Sequence, residues 1–190
     1  MQGFLFLIPF FTCDVSDITA TITSMEKTTQ VAQAVFAGGC FWGVEHLMQS
    51  APGVLDVQSG YSGGTLDKPT YEQVRGGKTG HYEAVRVTYD PARTDYETLA
   101  KLFFEIHDPT QNDGQGPDIG SQYRSAVFYE DEQQKQIAEK LIKILQDKGY
   151  RVVTRVLPLQ TFWPAEEYHQ NYYARKGTKP YCHLRVKRFD

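Results

Sequence analysis

At 190 residues the chain is long enough for one domain with a sizeable core. Its 20 basic and 23 acidic side chains leave a net charge of −3, so no bulk basicity points to nucleic acid or an anionic membrane as partner. The three cysteines, Cys13, Cys40 and Cys182, are too far apart for a disulfide framework and lack the paired spacing of a zinc site; none of the five histidines forms an HExxH or HxxxH pair, so no metal is expected.

Residues 1–24 read differently from the rest. Phe4 to Phe11 is apolar throughout but too short to span a bilayer. No Lys or Arg precedes Lys27, so the basic start of an export signal is missing. The expectation is a non-domain segment over 1–24, either an upstream mis-start or a weak export signal, followed by a single catalytic domain over 25–190 in the cytoplasm.

Val31 to Phe36 is expected as a strand and Phe41 to Gln49 as a helix, with Val44, Leu47 and Met48 on its apolar side. Val54 to Ser59 reads as a strand that closes in the turn Gly60 to Gly64, and Tyr71 to Val74 as a short helical turn. Glu83 to Tyr89 alternates as a strand, with Val85, Val87 and Tyr89 on one face. Thr94 to Glu97 reads as a capping box before a helix carrying Leu99, Leu102, Phe103 and Ile106 at helical spacing. Asp108 to Gly120 is a long polar loop, of the length that usually carries function. Ser125 to Tyr129 reads as a strand, and Asp131 to Lys148 as a long helix stopped by Gly149. Val152 to Leu157 is expected as a strand, Ala165 to Tyr173 as a last short helix, and the remainder as an irregular tail. The order begins βαββαβ, which predicts an α+β fold, a ferredoxin-like (split βαβ) two-layer sandwich with an extra C-terminal helix.

The run Gly38-Gly39-Cys40-Phe41-Trp42-Gly43 sets one cysteine beside two large aromatics, between glycines, where a strand gives way to a helix. A cysteine at a helix N-terminus is expected to favour the thiolate, the form that attacks electrophiles. Phe41 and Trp42 suggest an apolar pocket for a small greasy group. Glu83, after the turn at Gly80, reads either as an exposed strand-end charge or as a proton donor whose pKa is raised among aromatic rings. Tyr71 and Tyr123 either pack under loops or donate hydrogen bonds to an oxygen gaining negative charge. Asp118 reads as a turn former, His107 and His169 as capping or packing residues or as partners in a Cys–His pair of cysteine-hydrolase chemistry, and Glu166 and Glu167 as a solvated face. Cys182, in the irregular tail, suits a thiol that swings to a distant partner or remains an unpaired surface thiol.

As a set these motifs resemble the A-type peptide methionine sulfoxide reductases. The likeness runs from about Val35 to His183 and rests on Gly39 to Gly43, Gly60 to Gly64, Pro69-Thr70-Tyr71, Gly80 to Glu83, His107 to Thr110, Gln115 to Asp118, Gln122 to Ser125, Ala165 to Gln170 and Gly177 to Cys182, all in the family's order. The resemblance implies that Cys40 is the nucleophile and that Phe41 and Trp42 hold the substrate's S-methyl group. It implies that Glu83, Tyr71 and Tyr123 bind and protonate the sulfoxide oxygen with Asp118 nearby, and that Cys182 is the resolving cysteine. Tyr82 stands where the family usually has a small residue, and Pro117 where Asn is frequent. Many members carry a further recycling cysteine, but none follows Cys182 here, so a direct Cys40–Cys182 exchange is expected.

The implied activity is reduction of the S epimer of methionine sulfoxide, free or in proteins. The enzyme would act as a monomer without bound cofactor, nucleic acid or membrane, and would be recycled by thioredoxin or a dithiol. A thiol peroxidase and a non-catalytic module that binds oxidised methionine are the competing readings. The first would not need the aromatic cradle, and the second would not need the acid.

Overall fold

The computed structural model describes residues 30–189. The expectations for residues 1–24, including Cys13, lie outside the described residues. In chain order the elements are β1 (Ala32–Gly38), α1 (Phe41–Gln49), β2 (Val54–Ser62), α2 (Tyr71–Arg75), β3 (Tyr82–Tyr89), α3 (Tyr96–Ile106), β4 (Gly114–Gln115), β5 (Asp118–Ile119), β6 (Ser125–Tyr129), α4 (Glu132–Asp147), β7 (Arg155–Pro158), β8 (Trp163–Pro164) and α5 (Tyr172–Lys176).

Six strands form one sheet in the order β7-β6-β1-β3-β2-β8, and β4 pairs with β5 in a separate small hairpin. Every pairing is antiparallel except β6 with β7. The central strand β1 is buried on both faces from Ala34 onward, which is why Ala34 to Ala37 is continuously apolar rather than alternating. Ala34 and Phe36 enter the main core under the helices, while Val35 and Ala37 enter a smaller cluster on the opposite face. On the helix side Phe36 stacks on Phe103 of α3, with centroids 4.8 Å apart. Each such ring, fully buried, is worth about 1.5–3 kcal/mol relative to exposure. On the other face Tyr82, Ala84, Ala126 and Phe128 meet Leu157, Leu159 and Phe162 from the segment around β7. Tyr82, unusual for its position, meets Phe128 edge-on, and its hydroxyl accepts a bond from Arg155 at 3.1 Å.

Three local expectations need correction. Helix α3 is capped by Asp95, whose carboxylate accepts the Thr98 N–H at 2.7 Å. Thr94 instead belongs to the preceding turn, with its N–H on the Asp90 carbonyl. The reciprocal capping box is at α2, between Thr70 and Gln73. Strand β7 starts at Arg155, because Val153 spends its N–H on the Pro109 carbonyl at 2.8 Å and not on the sheet. The expected helix Ala165 to Tyr173 is split into a 3-10 turn, Glu167–His169, and α5. Gln170 divides them: its side chain accepts the Ser59 N–H at 2.9 Å and donates to the Ser59 carbonyl at 3.0 Å, and Asn171 then takes a left-handed φ of 54°.

Candidate active site

The joint between β1 and α1 is built around Gly39. Its φ is +100°, and a Cβ there would stand 2.4 Å from the Gln115 side chain, so only glycine fits. Cys40 follows as the N-cap residue of α1, with its carbonyl accepting from Gly43 and Val44. The expected thiolate does not follow from this position. A hydrogen bond with Cys182, burial and the Glu83 carboxyl together push the Cys40 thiol up, and the Trp42 N–H lowers it less. The helix terminus is outweighed because the thiol is half buried and faces two other acids.

Glu83 projects from β3 toward that helix start and is 2% exposed. Its Oε2 accepts the Phe41 N–H at 3.1 Å. Burial dominates over this bond and pushes the carboxyl up to about 8, with Asp118 and Cys182 adding to the rise. A carboxylic acid in this setting keeps its proton at neutral pH. Tyr71, the first residue of α2, and Tyr123, the last of a 3-10 turn, approach from the other side. Their hydroxyls interact, and burial followed by Glu83 raises both phenols. Cys40, Phe41, Trp42, Tyr71, Glu83, Asp118, Tyr123 and Tyr181 line one cavity of about 200 Å³. Larger hollows of about 680 and 500 Å³ lie elsewhere, around Tyr96 and around Leu102, and neither contains a cysteine.

The aromatic wall is braced from the segment between β8 and α5. The Trp42 indole lies flat on Tyr172, 3.7 Å between centroids, and its Nε1–H donates to His169 Nδ1 at 3.1 Å. The His169 ring, 1% exposed, also lies 4.4 Å from that of Tyr71, and burial lowers its pKa. Glu166 is not a solvated charge. It accepts the Tyr71 N–H at 2.9 Å and the Tyr61 hydroxyl at 2.8 Å, tying α2 to the aromatic wall. Glu45 is buried in α1, and burial raises its carboxyl. Glu167 is exposed as expected. His107 is structural: its ring joins the Phe103 carbonyl at 2.6 Å and Ser125 Oγ at 2.7 Å, and burial pulls it down to about 3.

Asp118 is more than a turn former. It lies against Cys182, and burial followed by that thiol raises its carboxyl. Cys182 itself is 8% exposed, within hydrogen-bonding reach of Cys40, and both thiols are free. The hydrogen bond from Cys40 pulls Cys182 down. The tail that carries it has no helix or strand but is pinned rather than loose. Val186 N–H bonds the Glu105 carbonyl at 2.7 Å, and Arg185 grips the Glu105 carboxylate with two N–H bonds of 3.0 and 2.8 Å. Arg188 donates to the Phe104 carbonyl at 2.8 Å. Glu166, His169, Glu45 and Tyr181 were not assigned to the site from sequence; for Tyr181 the only signal was its place beside Cys182. Among the described residues, no group of three or more His, Cys, Asp or Glu side chains is arranged to hold a metal ion, and no helix is long and apolar enough to cross a membrane.

Residues 32–190 match the family model described as peptide methionine sulfoxide reductase. A peptide methionine sulfoxide reductase MsrA of Nautilia profundicola is 51% identical over 150 residues, covering 79% of this chain and 87% of that protein. The solved methionine sulfoxide reductase A of Corynebacterium diphtheriae superposes with a TM-score of 0.72 at 34% identity, over 83% of this chain and 81% of that one. Reduced Mxr1 of Saccharomyces cerevisiae gives a TM-score of 0.78 at 33% identity, over 85% of this chain and 94% of that one. Mxr1 in complex with Trx2 gives 0.57 at 24% identity, over 86% and 96%.

Proposed function

The chain belongs to the peptide methionine sulfoxide reductase family, and we propose that it reduces the S epimer of methionine sulfoxide, free or in proteins, through a Cys40 sulfenic acid and a Cys40–Cys182 disulfide. The observation that carries this reading is Glu83: a buried acid, raised to about 8, bonded to the first turn of the helix that bears Cys40. A sulfoxide sulfur is a poor electrophile until its oxygen is protonated or strongly hydrogen-bonded. Glu83 supplies the proton, and the hydroxyls of Tyr71 and Tyr123 supply donors to the same oxygen. Phe41 and Trp42 take the S-methyl group, and Asp118 borders the bound substrate.

The reaction balances within these groups. Cys40 passes its proton to Cys182, in contact with it, and attacks sulfur. The oxygen, carrying the Glu83 proton, ends on Cys40 as sulfenic acid, and methionine leaves. Cys182 then attacks the Cys40 sulfur, forming the disulfide with loss of water. A thioredoxin-like dithiol restores both thiols. No metal or bound cofactor is assigned a step.

The same reading makes the inner strands β6-β1-β3-β2, with α1 and α3, a split-βαβ unit, and residues 25–190 a single catalytic domain acting as a monomer in the cytoplasm. A site assembled wholly from one chain supports the monomer. A chain started at Met25 is expected to keep full activity and melting temperature; loss of either would show that the first 24 residues belong to the working unit. The deciding assay offers separate S and R epimers of a methionine sulfoxide with dithiothreitol. Turnover of the S epimer alone is expected. Turnover of hydrogen peroxide without turnover of either sulfoxide would replace this function with that of a thiol peroxidase.

A further inference from the structure

His183 follows Cys182 directly and is 3% exposed. Its Nε2 lies 2.8 Å from the Gly38 carbonyl, and its Nδ1 lies 3.1 Å from Cys182 Sγ. A carbonyl only accepts, so Nε2 carries a hydrogen and Nδ1 is the nitrogen left to exchange a proton with the Cys182 sulfur. The ring occupies a prepared space. A Cβ on Gly43 would stand 2.2 Å from Nδ1, so the glycine that closes the Cys40 run leaves room for this imidazole. The tail has further anchors at Glu105 and Phe104.

We propose that His183 is the catalytic base of the resolving step: its Nδ1 takes the Cys182 thiol proton so that the thiolate attacks the Cys40 sulfenic sulfur. This rests on the sulfenic-acid reading above. The S–S bond forms as the Cys40 S–O bond breaks. The sulfenic sulfur is reduced, the Cys182 sulfur is oxidised, and the proton held on Nδ1 ends on the departing hydroxide, which leaves as water. No outside oxidant or reductant is consumed. The step is needed because Cys182 has just received the Cys40 proton and must lose it again before it can attack.

The other ionisable groups facing this pair are Cys40, Glu83, Asp118, His107, Tyr173 and Tyr181. Asp118 is the competing base, and it also lies against the Cys182 thiol.

The test is a single turnover without reductant, using methionine S-sulfoxide as substrate. Released methionine, dimedone-trapped sulfenic acid and remaining free thiol are each measured against pH. In the wild type, the conversion of sulfenic acid to disulfide, measured relative to methionine release, is expected to be flat between pH 7 and 9. In His183→Gln and His183→Asn, methionine release should stay near one equivalent per enzyme. Disulfide formation should slow by about 10²-fold and rise with pH toward the ordinary thiol value of about 8.5, with trapped sulfenic acid accumulating. A wild-type rate that itself climbs through that range would overturn the proposal without any variant. So would an unchanged rate and a flat profile in both His183 variants, or the alkaline rise appearing in Asp118→Asn and not in His183→Gln. Absence of methionine release in the wild type would instead overturn the sulfoxide reading on which it stands.

Discussion

Cys40 is carried by the most regular part of the molecule, the joint between the central strand β1 and helix α1. Cys182 is carried by a stretch with no helix or strand after Lys176. The first is positioned by backbone hydrogen bonds along β1 and α1, the second by separate side-chain ties to Glu105, Phe104 and Gly38. Their surroundings also differ. Cys40 is pushed up by Cys182, burial and Glu83, whereas Cys182 is pulled down by Cys40 and His183. On the proposed reading the regular joint supplies the attacking sulfur, the neighbouring strand β3 its acid, and an irregular but fixed strap the second sulfur and its base. Docking by individual side chains lets that strap bring Cys182 to Cys40 without adding a strand to the sheet.

The division can be broken one half at a time. Cys40→Ser is expected to abolish methionine formation entirely, since a serine hydroxyl is a weak nucleophile toward sulfur; substantial turnover would put the chemistry elsewhere. Cys182→Ser should separate the two halves. One equivalent of methionine should still form per enzyme, while thioredoxin-driven turnover collapses and small thiols rescue it in part. Normal thioredoxin-driven turnover would mean that the strap plays no part in resolution.

Glu83→Gln sharpens the first half. It should slow methionine release on the order of 10²–10⁴-fold. In the wild type the acid form is present below about pH 8 and lost above it, so release should fall beyond that pH. The variant should lack this fall. Stability should move the other way. Folding raises the Glu83 pKa from 4.5 to about 8, so the folded chain holds this proton more tightly than the unfolded chain. Between those values each rise in pH costs stability. Glu83→Gln should therefore melt above wild type at pH 8, with the gap closing toward pH 4. A wild-type release rate in the variant would leave the two tyrosines as donors.

The smallest effect is expected for Glu166→Gln, which keeps its shape but weakens the ties to Tyr71 and Tyr61. It should cost about tenfold in kcat/KM, or about 1.4 kcal/mol. The loss should fall on both Cys182-containing and Cys182→Ser enzyme, because it acts before the strap is used.

The sheet was legible where burial leaves a pattern in the residues themselves. The alternation of Val85, Val87 and Tyr89 and the unbroken apolar run Ala34 to Ala37 of β1 each report how many faces of a strand are covered. The ends of elements were less legible. Asp95 and Thr94 are both good caps, and the choice between them turned on whether Asp90 engaged Thr94 in the preceding turn. Ala165 to Tyr173 reads as a helix locally, and only the pairing of Gln170 with Ser59 explains its division.

What the sequence by itself determined is the strand–glycine–cysteine–helix joint, the aromatic pair beside it, and the acid and two tyrosines placed after turns. These are properties of neighbouring residues, set by conformational freedom at glycine and by apolar spacing. What only the tertiary structure decided is whom those residues meet: that Glu83 is buried and raised, that Cys182 and burial push Cys40 up against the pull of the helix terminus, that Glu166 and His169 brace the aromatic wall, and that Cys182 arrives with His183 already on its sulfur. Protonation and contact depend on what packing removes from water, and the side chains responsible lie on segments far apart in the chain.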